Sequence, residues 1–169
     1  NTQVITVKEL YLTWIDVYFD FAEALTFQGD GRMFDITKLI FDIIERNQIK
    51  EPAILCKAHL ALALANTIKG DLKTSVKILD DILKEYSLDS MDAFIVSRWN
   101  FIDIANKFIA KDYDSLYIEL FNVVAYANNV NDSFTKNILK TLLAKMLTDK
   151  NESKKALEIL EEQVAYFAK

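Results

Sequence analysis

Four short polar turns recur along this chain at nearly constant intervals: Gly29-Asp30-Gly31, Gly70-Asp71, Lys111-Asp112 and Lys150-Asn151-Glu152. With Gly31, Gly70, Lys111 and Asn151 taken as equivalent, the intervals are 39, 41 and 40 residues. Each interval holds two segments of helical periodicity. A period near 40 with two helices per period is the signature of a helical repeat array, in which each hairpin buries its apolar face against its neighbours. Only three glycines and one proline occur in 169 residues, too few for the many tight turns of an all-β fold. The expected fold class is therefore all-α, with eight helices and a single domain over residues 1–169. Because the chain begins at Asn1 rather than Met, that domain is expected to be a fragment of a longer protein.

The helices can be placed from caps and periodicity. Thr6-Val7-Lys8-Glu9 has the form of a capping box and opens a helix expected to reach Phe27. A second runs from Arg32 to Arg46, with Phe34, Ile36, Leu39, Ile40, Ile43 and Ile44 at helical spacing. After a linker over 47–51, Pro52 suits the first position of a helix, where a missing N–H costs nothing. That helix extends to Lys69, and a fourth covers Leu72–Tyr86. Ser90 is the expected N-cap of a helix over Met91–Ala110. The remaining three are expected over Tyr113–Ala127, Phe134–Leu147 and Lys154–Phe167, with 128–133 as the clearest loop.

Composition narrows the function classes. The formal net charge is −5 and the pI about 5.0, and the cations are scattered, which argues against a direct nucleic-acid surface in this segment. No apolar run is long enough to span a bilayer, so no membrane contact is expected. A lone cysteine, Cys56, cannot form an internal disulfide, and a reducing cytoplasm is the simpler expectation.

The residues that could carry chemistry are few. Cys56 and His59 lie one turn apart on the third helix, but a structural zinc site needs four ligands and the chain has one Cys and one His. A catalytic Cys–His pair would leave the thiol on a regular helix without a strained turn to present it, and no orienting third group is apparent. Gly29-Asp30-Gly31-Arg32 lacks the strand and the Lys-Ser/Thr of a phosphate loop. Asp16, Asp20 and Glu23 form an acidic stripe of the kind that usually faces water. No catalytic residue, metal or cofactor is expected, and a small helical enzyme using Cys56 and His59 is the least favoured alternative.

The first helix is the anomaly. Leu10, Tyr11, Leu12, Trp14, Ile15, Val17, Tyr18, Phe19 and Phe21 are apolar almost all round the helix, whereas a terminal helix of an array should have a wet outer face. Exposed apolar surface usually marks contact. Two expectations follow: a segment preceding this sequence covers the outer side of the helix, or that side is a self-association or partner surface with Tyr11 and Trp14 as candidate residues and a homodimer through this helix.

The turns and their neighbours resemble those of tetratricopeptide repeats. That motif places a small residue seven positions before the turn and another five after it. Here these positions hold Ala24, Ala63, Ile104 and Ala144, then Ile36, Ser75, Leu116 and Ala156. Residues 61–79 fit best and 154–160 next, while the third repeat lacks the turn glycine and both small residues. The resemblance implies a right-handed α-solenoid of about four helix-turn-helix repeats. Longer, degenerate repeats of this type are similar to the sensor domains of bacterial transcription regulators. It also implies a concave face, with Tyr18, Phe21, Gln28, Lys57, Asn66, Arg98 and Phe101 among its partner-binding positions. Such a mix of aromatics, amides and single cations suits an extended peptide, the cations holding its carboxylates. The expected function is a protein- or peptide-binding scaffold, with effector sensing in a bacterial transcription regulator as its setting. The alternative is a ligand-free assembly module.

Overall fold

A computed structural model describes residues 7–87, 90–111 and 113–167. Among the described residues there are eight α-helices and no strands: α1 (Val7–Phe27), α2 (Arg32–Arg46), α3 (Pro52–Lys69), α4 (Leu72–Glu85), α5 (Ala93–Ile109), α6 (Tyr113–Asn129), α7 (Ser133–Asp149) and α8 (Ser153–Phe167). The all-helical expectation and the helix count hold. Thr6, the residue expected to open the capping box, and the turn residue Asp112 lie outside the described residues.

The chain divides into two compact units, Asn1–Met91 and Asp92–Lys169. In the first, α1 packs on α2 and α3, α2 also meets α3, and α3 packs on α4. Ile15, Ile40, Ile44 and Ala58 form its main core cluster, with Tyr18, Phe19 and Phe41 against it, and Leu25, Met33 and Ala65 form a smaller one. In the second, consecutive helices pack pairwise and α5 also reaches α7. Its interior includes Ile95, Ile102, Ile104, Leu116, Leu120, Leu139, Leu143 and Leu147.

The helix ends share one device. Gly29, Gly70, Lys111 and Asn151 all have left-handed backbone, with φ of 66, 87, 62 and 62°. At Gly70 the Asp71 N–H reaches back to the Asn66 carbonyl at 2.9 Å and the Gly70 N–H to Thr67 at 3.0 Å, the paired bonds of a Schellman ending. The same pair closes α1 at Gly29, α2 at Gln48, α6 at Asn131 and α7 at Asn151. The repeat therefore registers on Gly29 rather than Gly31, which sits at φ −57° before α2. The intervals become 41, 41 and 40 residues, more regular than those read from the turns alone. The small residue seven positions before the first turn is then buried Ala22, correcting Ala24, which is exposed.

A threonine three positions before the left-handed residue completes the pattern. Thr26, Thr67 and Thr148 donate to the carbonyls of Ala22, Ala63 and Ala144 at 2.7, 3.0 and 2.9 Å. Three of the four turns thus carry Ala-x3-Thr-x2 before a left-handed residue, and the third carries Ile104 and Phe108 instead. Two further expectations are corrected. Asp92, not Ser90, caps α5, its carboxylate accepting from the Phe94 N–H at 2.8 Å, while the Ser90 hydroxyl donates to Ser87. The loop expected over 128–133 shrinks to 130–132, because α6 runs on to Asn129 and α7 starts at Ser133.

Candidate functional site

On α1 the core-facing and outward positions separate cleanly. Ile15, Ala22, Leu25 and Thr26 are buried. On the other side Leu10, Trp14, Val17 and Phe21 are 46, 52, 60 and 46% exposed. They recur at intervals of four, three and four residues, which aligns them on one face of the helix. Ala24 and Gln28, both exposed, continue the line. The Trp14 ring stands edge-on to that of Tyr18, with the centroids 6.3 Å apart. Four large apolar side chains in one exposed row differ from the scattered single ones normal on any surface. Tyr11, on the border of the row, also lines a hollow of about 650 Å³ with Asn47–Pro52.

The residues proposed for a concave face fall differently. Phe21 and Gln28 are exposed, and Tyr18 is half-buried against the core. Lys57 Nζ lies 3.3 Å from Asp16 Oδ1, so part of the acidic stripe is neutralised within the unit. Asn66 is buried and its amide donates to the Leu62 carbonyl at 2.8 Å. Phe101 is 3% exposed, its ring edge-on to Phe134. Asn66 and Phe101 are thus interior side chains, set by helix packing rather than offered to a guest.

Arg98 is built into the second unit. Its guanidinium carbon lies 4.7 Å from the Phe94 ring centre and 4.4 Å from that of Phe134. Nη1 donates to Thr135 Oγ1 at 3.2 Å, and Nε stands 3.9 Å from Asp132 Oδ2. The side chain is 12% exposed and that of Asp132 only 1%. Asp132 Oδ1 also accepts from the Thr135 N–H at 3.0 Å, capping α7. The cation expected to hold a guest's carboxylate instead has one from its own chain.

Around Cys56 the chemistry is quiet. The thiol is fully buried, and burial pushes its pKa up to about 11. His59 Nδ1 lies 2.9 Å from the Leu55 carbonyl; a carbonyl only accepts, so Nδ1 carries the hydrogen. Its ring also sits edge-on to Phe41. A protonated thiol is a poor nucleophile, so this pair offers a packed side chain rather than a reactive sulfur. His59 also borders a hollow of about 460 Å³ with Asp81, Glu85 and Tyr86. There burial, followed by the hydrogen bond to Glu85, raises the Tyr86 hydroxyl to about 12. Among the described residues no group of three or more His, Cys, Asp or Glu is placed to hold a metal ion, and no helix is long and apolar enough to cross a membrane.

The thiol provides a pH test. Its folded pKa is raised from about 9 to about 11, so the protonated form is favoured in the folded state. The stability this contributes is fully present below pH 9 and is lost as pH rises to 11. At 1.36 kcal/mol per unit the loss is about 2–3 kcal/mol. Urea unfolding of the parent and of Cys56→Ala should show the parent losing that much more stability between these pH values. Equal pH dependence of the two proteins would show that the thiol is not held protonated by the fold.

Comparison with protein-family models, curated proteins and solved structures finds no match.

Proposed function

We propose that this chain is a protein-interaction scaffold, and that the outward face of α1 is where it holds its partner. The exposed row Leu10–Trp14–Val17–Phe21 carries this reading. A helix gains nothing by showing water four large apolar side chains in line, whereas covering the exposed half of each against a partner contributes about half of the ~1.5–3 kcal/mol of a full burial. The regular 41-41-40 spacing of helix endings supports the companion view that each unit is built of tetratricopeptide-like helical hairpins. Effector sensing in a bacterial transcription regulator rests on that resemblance alone. The placement of Asn66, Arg98 and Phe101 moves the favoured contact surface away from a concave peptide groove and onto α1. That surface equally fits the alternative of an assembly module without ligand.

A photo-reactive benzoylphenylalanine at Val17, introduced in the cells that make the protein, tests the reading. The expected result is a defined covalent adduct that disappears when Trp14→Asp is added to the same chain. The same probe at Lys73, on the exposed side of α4, should give none. Equal labelling at the two positions, or labelling indifferent to Trp14→Asp, would remove the basis for a docking face on α1.

A further inference from the structure

We infer that the partner of the α1 face is the α1 helix of a second copy of this chain, lying antiparallel to it. The inference rests on the interaction reading above and goes on to name the occupant. The row Leu10, Trp14, Val17, Phe21, Ala24 and Gln28 advances by four, three, four, three and four residues. This is the alternation that lets one helix lie along another with knobs in holes, so the face fits a helix rather than an extended strand or a small molecule.

The spacing of the central four residues also reads the same in both directions. Their spacing of four, three and four is a palindrome, so an antiparallel copy brings Leu10 opposite Phe21 of the second copy and Trp14 opposite Val17. Each of the four resulting layers pairs one large aromatic with one smaller aliphatic side chain. A parallel copy would instead set Trp14 on Trp14 and Val17 on Val17, alternating crowded layers with thin ones. The borders agree with the antiparallel choice. On one side Tyr11 meets Tyr18 of the second copy. On the other, Thr13 meets Asp20, so among the described side chains the charges beside the seam face hydroxyls rather than each other. No charged residue lies in the row, and Asp16, further round the helix, is already met by Lys57. The twofold closes the pair, because each face is used once.

Four layers make a small interface, so the dimer should be weak, with monomer and dimer exchanging in the micromolar range. Sedimentation velocity of the intact chain over a concentration series should show a shift from the 19.4 kDa monomer towards twice that mass. Trp14→Asp and Val17→Asp, both at exposed positions, should weaken association at least about tenfold with unchanged helical circular dichroism. Orientation is read by disulfide trapping. A mixture of Leu10→Cys and Phe21→Cys chains should cross-link, while neither does so alone; native Cys56 is buried and should stay out of the reaction. A chain monomeric throughout the series overturns the second copy, and single variants that trap only with themselves overturn the antiparallel order. A purely monomeric chain whose Val17 probe still captures a different protein, sensitive to Trp14→Asp, would remove this inference and leave the interaction reading standing.

Discussion

Replacing Asp132 by alanine should cost the second unit about 3–5 kcal/mol, one of the two largest effects of any single substitution considered. Its carboxylate is 1% exposed and does two jobs. One oxygen accepts from the Thr135 N–H and caps α7, a contact generally worth about 0.5–2 kcal/mol. The other lies 3.9 Å from Arg98 Nε, in a site where Phe94 and Phe134 flank the guanidinium. Removing one member of a buried ion pair leaves the other charge uncompensated, and such changes cost about 3–5 kcal/mol. The two losses overlap because both act through one carboxylate, so they should not add in full. Asp132→Asn keeps an acceptor for the cap and removes only the charge, and should cost about half as much. Arg98→Met, which removes the cation and keeps much of the packing volume, should cost less than Asp132→Ala. Denaturant unfolding followed by circular dichroism would rank the three. If Asp132→Ala costs no more than about 1 kcal/mol, the pair is not an energetic element of this unit.

This cluster shows where reading the sequence stops. Arg98 looks like an isolated cation on its helix, and nothing within a turn of it supplies an anion. Its carboxylate comes from Asp132, 34 residues further on in a turn, and is brought there by the packing of α5 on α7. Helical periodicity says which residues share a face but not which faces meet, so the pairing was illegible. The burial of Asn66 and Phe101 has the same origin. Their outward placement followed a repeat pattern, whereas their actual surroundings depend on how close neighbouring helices approach.

What depends on local chemistry was legible. Pro52 opens α3 and Gly70 ends it because each residue's backbone preference acts within its own turn. The boundaries Arg32–Arg46 and Pro52–Lys69 follow the expected ones residue for residue. The errors are also local and have local reasons. In Gly29-Asp30-Gly31 either glycine could take the left-handed conformation, and only the 41-residue spacing to Gly70 distinguishes them. Asn128 and Asn129 look like loop residues by composition, yet Asn131 supplies the left-handed ending, at φ 59°, and α6 continues up to it. The Ala-x3-Thr element was available in the sequence at three turns. It lacked meaning until the threonine hydroxyls were seen to return to the alanine carbonyls, which leaves both side chains at the helix contact small or self-satisfied.

The sharpest contrast lies between two adjacent residues of α1. Ile15 is 1% exposed and Trp14 52%, so substitutions one position apart should divide stability from association. Ile15 belongs to the cluster with Ile40, Ile44 and Ala58 that ties α1 to α2 and α3. Truncating a buried isoleucine to alanine removes its transfer free energy and leaves a cavity, at a cost of about 2–5 kcal/mol. Three helices converge at this site, which limits how far the surroundings can close in, so Ile15→Ala should fall in the upper half of that range. Ile15→Val, one methyl smaller, should cost about 0.5–1.5 kcal/mol. Trp14 is half exposed and meets Tyr18 edge-on, so Trp14→Asp should stay within about 1 kcal/mol of the parent. At temperatures where Ile15→Val remains folded, the outward row is untouched and its association should match the parent. Stability from urea unfolding and association from sedimentation, measured on the same three variants, would single out Ile15→Ala as the least stable and Trp14→Asp as the weakest to associate. If Trp14→Asp proved as destabilising as Ile15→Ala, the outward face of α1 would be part of this chain's own core, and its role as a docking surface would fall with that result.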